Sequence, residues 1–135
     1  MPDFRFLLDT NILSALIRHP AGPVAHKIRE RGEATICTSI IVACELRYGS
    51  VKKGPSVLSI KVEEVLGCLK ILPLSIGTDH QYAMLRTQLE RKGTPIGPND
   101  LLIAAHALTF ELTLVTDNLR EFSRIPGLSV ENWLQ

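Results

Sequence analysis

The chain has 135 residues, of which 45% are hydrophobic, and this predicts one folded domain over residues 1–135 rather than a disordered segment. The formal net charge is +1, so contacts with nucleic acid must come from local groups of basic residues rather than from the overall charge. Its three cysteines lack Cys-x-x-Cys spacing, and no apolar run approaches the ~20 residues that cross a membrane, which favours a cytoplasmic protein without a membrane segment.

Apolar runs and helical periodicity predict strands that alternate with helices in the first half of the chain. A buried strand is expected at residues 4–8, and Thr10 or Asn11 is expected to cap the helix that follows it. Further strands are expected at residues 34–38 and 71–74, the second at a sheet edge or a strand end because it contains Pro73. Helices are predicted at residues 24–31, 40–49 and 57–69, with Ser39 as the cap of the second and Ile60 among the inward-facing residues of the third.

The second half of the chain continues the alternation. A long helix is predicted from Thr78 or Asp79 to Gly93, and the next helix is opened by Pro98 and continues to Phe110. Strands are predicted at residues 112–116 and 128–130, separated by a polar turn that contains one helical turn. The whole pattern predicts an α/β fold with a short, mostly parallel central sheet and helices on both faces.

Three carboxylates stand alone in or beside apolar elements. Asp9 ends the first strand, Glu45 lies in an otherwise apolar helix, and Asp100 begins a helix with no other charge before Glu111. Burial of a lone carboxylate costs several kcal/mol unless another group compensates its charge. Each acid taken alone can be a cap or half of a hidden ion pair, and for Asp100 a favourable interaction with the helix dipole is an equal alternative. Three such acids together favour a shared Mg²⁺ or Mn²⁺ ion.

Two other groups of polar residues carry weaker signals. Thr116, Asp117 and Asn118 stand at the end of a predicted parallel strand and are expected at the same sheet edge as Asp9, although alone they are typical of an ordinary turn. The histidines lack metal-ligand spacing, the glycines form no phosphate-binding loop, and the cysteines are expected to be small buried hydrophobes. Several basic residues flank the acidic elements and can contact phosphates, but the sequence does not select among them.

Four segments of the chain carry a resemblance to a known family. They are Leu-Leu-Asp-Thr-Asn-Ile at residues 7–12, Glu-Leu-x-Tyr-Gly at 45–49, the stretch 93–107 with Pro-Asn-Asp-x-x-Ile-Ala-Ala, and the stretch 115–128. In order and spacing they resemble the PIN-domain ribonucleases and, within these, the VapC toxins of bacterial VapBC toxin–antitoxin systems. The resemblance covers essentially the whole chain.

The resemblance implies a three-layer α/β/α fold and a toxic, Mg²⁺-dependent endoribonuclease that inhibits translation, with Mn²⁺ as a substitute. Asp9, Glu45 and Asp100 match the acidic metal site of the family. VapC toxins commonly cleave structured RNA, with tRNA a frequent target, and they dimerise. Each is neutralised by a VapB antitoxin whose C-terminal segment wraps the toxin and blocks the site. A homodimer, an RNA substrate and a VapB-type antitoxin are therefore expected here.

One position departs from the family pattern. Many PIN domains carry a fourth acid two residues after the strand-end threonine, where this chain has Asn118. We expect Asn118 to face the site as a catalytic residue that binds a metal-bound water through its amide oxygen, and Asp117 to point away.

Two other functions fit the sequence less well. A phosphatase of the haloacid dehalogenase type needs Asp-x-Asp, but Asn11 stands in the second position. An inactive, PIN-like binding module would be favoured by loss of one of the three acids, and all three are present.

Overall fold

The computed structural model describes residues 3–134, so residues 1, 2 and 135 of the predicted domain lie outside the described residues. The strands in this part of the chain are β1 (Phe6–Leu8), β2 (Ile36–Ser39), β3 (Lys70–Leu72), β4 (Thr113–Val115) and β5 (Val130–Glu131). The helices are α1 (Thr10–Arg18), α2 (Pro23–Arg31), α3 (Ile40–Lys53), α4 (Val57–Gly67), α5 (Thr78–Arg91), α6 (Pro98–Thr109) and α7 (Leu119–Phe122). A short 3₁₀ turn, Glu33–Thr35, precedes β2.

The five strands form one parallel sheet in the order β3-β2-β1-β4-β5. The central strand β1 is buried along its whole length, which explains why its sequence is a continuous apolar run rather than an alternating one. After β3 the chain returns to the other side of β1, so the direction of winding reverses between β1 and β4. In open α/β sheets, ligands bind at such a reversal, at the carboxyl ends of the strands. Asp9 and Thr116 follow directly after these two strands.

Helices α1 to α4 pack against one another, α5 packs against α6, and α3 also contacts α6. Near the chain end Trp133 is buried against Phe6 of β1, with ring centroids 5.2 Å apart. The predicted three-layer fold is confirmed, and the sheet is wholly parallel rather than mostly so. Within residues 3–134, no helix combines the length and the apolar character that a membrane span requires.

Several predicted boundaries were wrong. Strand β2 covers residues 36–39 rather than 34–38, because residues 33–35 form the 3₁₀ turn, β3 covers 70–72 rather than 71–74, and α4 ends at Gly67 rather than at residue 69. Helix α3 does not end near Gly49 but continues to Lys53, and it ends at Gly54, whose φ of +85° is the left-handed conformation that glycine adopts without strain. Gly49 has no positive φ and lies inside the helix. The last strand is Val130–Glu131 rather than residues 128–130, since Val130 and Glu131 align with Leu114 and Val115 of β4.

Predictions about individual side chains were wrong at three places. Ile60 is 60% exposed, because the buried face of α4 is formed by Val62 and Leu66, which are four residues apart. Of the three cysteines only Cys37 is buried, and burial raises the pKa of its thiol to about 12. Cys44 and Cys68 are exposed.

Candidate active site

Asp9 is the residue that joins the central strand to the first helix. Its carboxylate accepts hydrogen bonds from the backbone N–H of Thr10 at 2.7 Å and from Oγ1 of Thr116 at 2.9 Å. Asp9 itself is therefore the N-cap of α1, so the prediction that Thr10 or Asn11 caps this helix was wrong. Burial raises the pKa of Asp9, the two hydrogen bonds oppose this effect, and the nearby Glu45 and Asp117 reinforce it. Its side chain is thus fixed in orientation in surroundings that disfavour its charge.

Glu45 lies on α3 and is held by a residue of α1. The hydroxyl of Thr10 donates a hydrogen bond to Oε1 of Glu45, while the backbone N–H of the same threonine binds Asp9. The start of α3 is fixed by Ser39, whose Oγ accepts a hydrogen bond from the backbone N–H of Ile41 at 3.1 Å. Thr10 therefore links two of the three predicted acids, a positioning role that the sequence analysis did not assign to it.

Asp100 occupies the first turn of α6 and lies beside Glu121 of α7. The pKa of Asp100 is raised to about 7, first by burial, then by the adjacent carboxylate of Glu121, and further by repulsion from Asp9 and Glu45. Asp9, Glu45 and Asp100 are thus within electrostatic reach of one another, as the sequence analysis predicted, and Glu121 joins them.

Glu121 lies in the stretch 115–128 that carries the family resemblance, but it was not predicted as a site residue. Its Oε1 is buried and has no hydrogen-bond partner among the described residues, and its Oε2 accepts a hydrogen bond from Nδ2 of Asn118 at 3.1 Å. The signal for this arrangement is the spacing Asn118-x-x-Glu121, which places both side chains on one side of a single helical turn. Asn118 thus holds a carboxylate at the site and adds no charge of its own.

Asp117 lies at the margin of this cluster. It is exposed and accepts a hydrogen bond from Nδ2 of Asn11 at 3.1 Å. Its charge raises the pKa of Asp9, but no hydrogen bond joins it to Asp9, Glu45 or Asp100 in the described part of the chain.

The cluster of Asp9, Glu45, Asp100 and Glu121, which we call the acidic cluster, has no cationic partner. Among residues 3–134, no Lys, Arg or His side chain forms an ion pair with any of its members. The described residues contain no group of three His, Cys, Asp or Glu side chains that is already in position to hold one ion. Mg²⁺ keeps several waters and is usually bound through one or two carboxylates, so a loose set of acids with an unsatisfied buried oxygen fits this ion.

The chain matches a known protein family and is similar to individual proteins of known name. Residues 6–128 match the family model described as PIN domain. The chain is 43% identical over 130 residues to Ribonuclease VapC2 of Rickettsia felis, covering 95% of this chain and 97% of that protein. It is 38% identical over 133 residues to the tRNA(fMet)-specific endonuclease VapC of Salmonella typhimurium, covering 96% and 98% of the two chains.

Solved structures give the same result at the level of the fold. The protein is similar to a chain of VapBC2 from Rickettsia felis bound to a DNA fragment from their promoter, with a TM-score of 0.90, 40% identity, and coverage of 96% of this chain and 99% of that chain. It is also similar to a chain of DNA-bound VapBC from Salmonella typhimurium, with a TM-score of 0.86, 34% identity, and coverage of 96% and 98%.

Proposed function

The chain belongs to the PIN-domain family, and from that premise we propose that it is a VapC-type toxin, an endoribonuclease that depends on a divalent ion and inhibits translation. The observation that carries the proposal is the acidic cluster at the reversal point of a parallel sheet, where Asp9, Glu45 and Glu121 lie within electrostatic reach of Asp100 and no described Lys, Arg or His side chain forms an ion pair with any of the four. The names of the relatives, Ribonuclease VapC2 and tRNA(fMet)-specific endonuclease VapC, support RNA as the substrate class.

We assign the ion to Asp9, Glu45, Asp100 and Glu121, with Mg²⁺ as the physiological cofactor and Mn²⁺ as a substitute. When bound, a divalent ion lowers the pKa of a water ligand and offsets the charge that develops on the phosphoryl oxygens during in-line attack. Mg²⁺ prefers oxygen ligands and usually keeps several water molecules, and the carboxylate oxygens of these residues meet that preference. Support for an ion at this place comes from the buried Oε1 of Glu121, which lacks a partner among the described residues.

The residues of the chain hold and tune these carboxylates. Thr116 and the backbone of Thr10 fix Asp9, and the hydroxyl of Thr10 orients Glu45. Because the pKa of Asp100 is raised to about 7, this group retains a proton in part of the molecules at neutral pH and gives it up when a cation is bound nearby. Asn118 keeps Glu121 in place without adding a further negative charge.

The substrate we propose is a structured RNA. The first candidate is initiator tRNA, because two of the relatives are named tRNA(fMet)-specific endonuclease VapC. Cleavage of tRNA occurs where translation occurs, so we propose that the protein acts in the cytoplasm. The partner we propose is a VapB-type antitoxin that neutralises the toxin, supported by the VapBC complexes among the similar structures. A toxin homodimer within that complex completes the proposal.

The experiment that tests this function is the sequencing of RNA ends after brief expression of the chain in a bacterial host. We expect new 5′ ends at one position of a small set of RNAs, an arrest of growth, and recovery when the antitoxin from the neighbouring reading frame is expressed. The matched control is Asp9→Asn, since asparagine also caps helices and keeps the local structure. If the variant produces the same ends as the wild type, or if the wild type produces none, the proposal is wrong.

A further inference from the structure

A cleft between α1, α3 and α4 opens from the acidic cluster and leads to two basic side chains. On the basis of the proposed RNA-cleaving function, we propose that this cleft binds the RNA strand on one side of the cut, and that Arg18 and Lys53 hold its phosphates. The cleft has a volume of about 360 Å³, and its lining includes Thr10 and Glu45 as well as Arg18 and Lys53. It therefore connects the proposed catalytic residues with two cations in one continuous depression.

The direction of the cleft follows from the helices that form its walls. Helices α1 and α3 both begin at the carboxyl ends of neighbouring parallel strands, β1 and β2, and both lead away from the sheet edge. Arg18 lies eight residues beyond Thr10 on α1, and Lys53 lies eight residues beyond Glu45 on α3. At 1.5 Å per residue, each cation is about 12 Å from its catalytic neighbour along the helix. A stacked strand advances about 3.4 Å per nucleotide, so this distance spans a few nucleotides.

Small residues line the middle of the cleft and leave space for a nucleic-acid strand. Gly49 and Ser50 on α3 and Ser14 on α1 are all part of its lining. A Cβ placed on Gly49 would meet nothing within 4 Å, so the backbone is open at this point. The serine hydroxyls are hydrogen-bonding groups of the kind that contact phosphate and sugar oxygens.

The ion-pair pattern selects these two cations from the basic residues near the site. Neither Arg18 nor Lys53 has a carboxylate within 4.0 Å in the described part of the chain. By contrast, Arg47 makes a two-pronged contact with Glu63 on the outer side of α3. Glu45 is the one carboxylate in the cleft lining, and it stands at the catalytic end. Lys and Arg without partners contribute most to backbone binding, because they release counterions from the nucleic acid.

A second, larger depression on α1, α2 and α4 does not fit the same ligand. It has a volume of about 470 Å³ and is lined mainly by apolar side chains such as Ile17, Ile28 and Val65. Its charged lining consists of Glu33, Glu64 and Lys61, so carboxylates outnumber cations. Such a surface is less suited to a phosphate backbone than the first cleft, which also contains the proposed catalytic residue Glu45.

The test compares RNA binding by four single variants of the full chain. Arg18→Gln and Lys53→Gln each remove a cation from the cleft. The matched controls are Arg29→Gln in the last turn of α2 and Lys52→Gln next to Lys53, because both residues are exposed cations outside the cleft lining. The probe is an initiator tRNA transcript, with affinity measured by fluorescence anisotropy between 50 and 200 mM salt (about the range over which such contacts weaken) in EDTA. Intact RNA is confirmed on a gel, and thermal unfolding of each variant is followed in parallel.

We expect Arg18→Gln and Lys53→Gln each to weaken tRNA binding about three- to tenfold and to lower the salt slope by about one, with the controls near wild type. Equal effects of all four variants would indicate a diffuse electrostatic attraction and would overturn the inference. A loss of thermal stability with unchanged tRNA affinity would also overturn it, because this is the result expected if the two cations only complement their helix dipoles. Loss of antitoxin binding with unchanged tRNA affinity would assign the cleft to a protein segment instead.

The same experiment separates this inference from the proposed function. If the wild type binds tRNA through Arg18 and Lys53 but cleaves no RNA when Mg²⁺ is supplied, the cleft inference holds and the proposed activity fails. If RNA is cleaved and the two cleft variants behave like the controls, the activity holds and the cleft inference is wrong.

Discussion

Replacement of Asp100 by asparagine is expected to stabilise the metal-free protein at alkaline pH. The pKa of Asp100 is raised from 3.8 to about 7 because the carboxyl is half-buried and faces Glu121, Asp9 and Glu45. Between these two pH values the unfolded chain has released this proton and the folded chain still holds it. Stability is therefore lost as the pH rises from about 4 to about 7, and the loss is complete above that range. Asparagine has no charge to bury and removes this loss.

The size of the effect follows from the difference between the two pKa values. One pKa unit corresponds to about 1.4 kcal/mol, so a fully buried group with this pKa would cost about 4 kcal/mol at pH 8. Because Asp100 is only half-buried, screening by water reduces this cost, and we expect about 1–2 kcal/mol. For a domain of this size that amounts to a rise in Tm of about 4–8 °C for Asp100→Asn in EDTA at pH 8.

The assay is thermal unfolding followed by circular dichroism in EDTA at pH 4.5, 6 and 8, repeated at pH 8 with Mg²⁺. The Tm difference between variant and wild type should be close to zero at pH 4.5, grow with pH, and shrink or reverse when Mg²⁺ stabilises the wild type. The control is Asp79→Asn in the first turn of α5, where hydrogen bonds from backbone N–H groups, first that of Gly77, lower the pKa of Asp79. That variant should instead be less stable than wild type at pH 8. A Tm of Asp100→Asn below that of wild type at pH 8 in EDTA would refute the claim that burial and the neighbouring carboxylates destabilise charged Asp100.

Three further outcomes are expected. Glu121→Gln should slow RNA cleavage more than about 100-fold and Asn118→Ala about tenfold, while Asp117→Asn stays close to wild type. Initial cleavage rates at saturating Mg²⁺ check this order, and a loss for Asp117→Asn as large as that for Glu121→Gln would contradict it. Thr10→Val should slow cleavage about 10–100-fold because Glu45 loses its hydroxyl partner, and Thr10→Ser should restore most of the rate; failure of the serine to do so would argue against that role. Burial lowers the pKa of His106 below 6.5, so stability is lost as the pH falls through that value. His106→Gln should therefore lose less stability than wild type between pH 7 and 5 in urea unfolding, and an equal loss in both would contradict this assignment.

The acids that could be predicted from the sequence share one property, which is an apolar neighbourhood along the chain. Asp9, Glu45 and Asp100 each interrupt an apolar segment, so the electrostatic cost of burial at Asp9 and Asp100 could be anticipated without a structure. Glu121 stands in a polar turn beside Arg120 and close to Asp117, where one more charged residue is unremarkable. Its burial arises only when α7 packs against β5 and brings the carboxyl beside Asp100, and local sequence does not encode that contact.

The same contrast between local sequence signals and long-range contacts explains which parts of the fold could be predicted. The strand order could not be read from the sequence, but buried strands such as β1 were found because burial on both faces makes the whole strand apolar. The end of α3 was missed because Gly49 and Gly54 are equally plausible stops in sequence, and only Gly54 has a positive φ. Ile60 was placed inward on its residue type alone, although the buried stripe of α4 lies on the opposite side.

The measurement that tests the central claim most directly is cleavage of an initiator tRNA transcript by the purified wild-type chain and its Asp9→Asn variant across an Mg²⁺ titration. Asparagine at this position can still cap α1 through its one side-chain oxygen, and its Nδ2 can donate to Oγ1 of Thr116 in place of the hydrogen bond that the second oxygen of Asp9 accepts, so the variant removes the charge and keeps the cap. The account predicts cleavage at one position that requires Mg²⁺, stops in EDTA, returns with Mn²⁺, and is slower by more than about 100-fold in the variant. Cleavage that persists in EDTA, or that proceeds at the wild-type rate in Asp9→Asn, would contradict it.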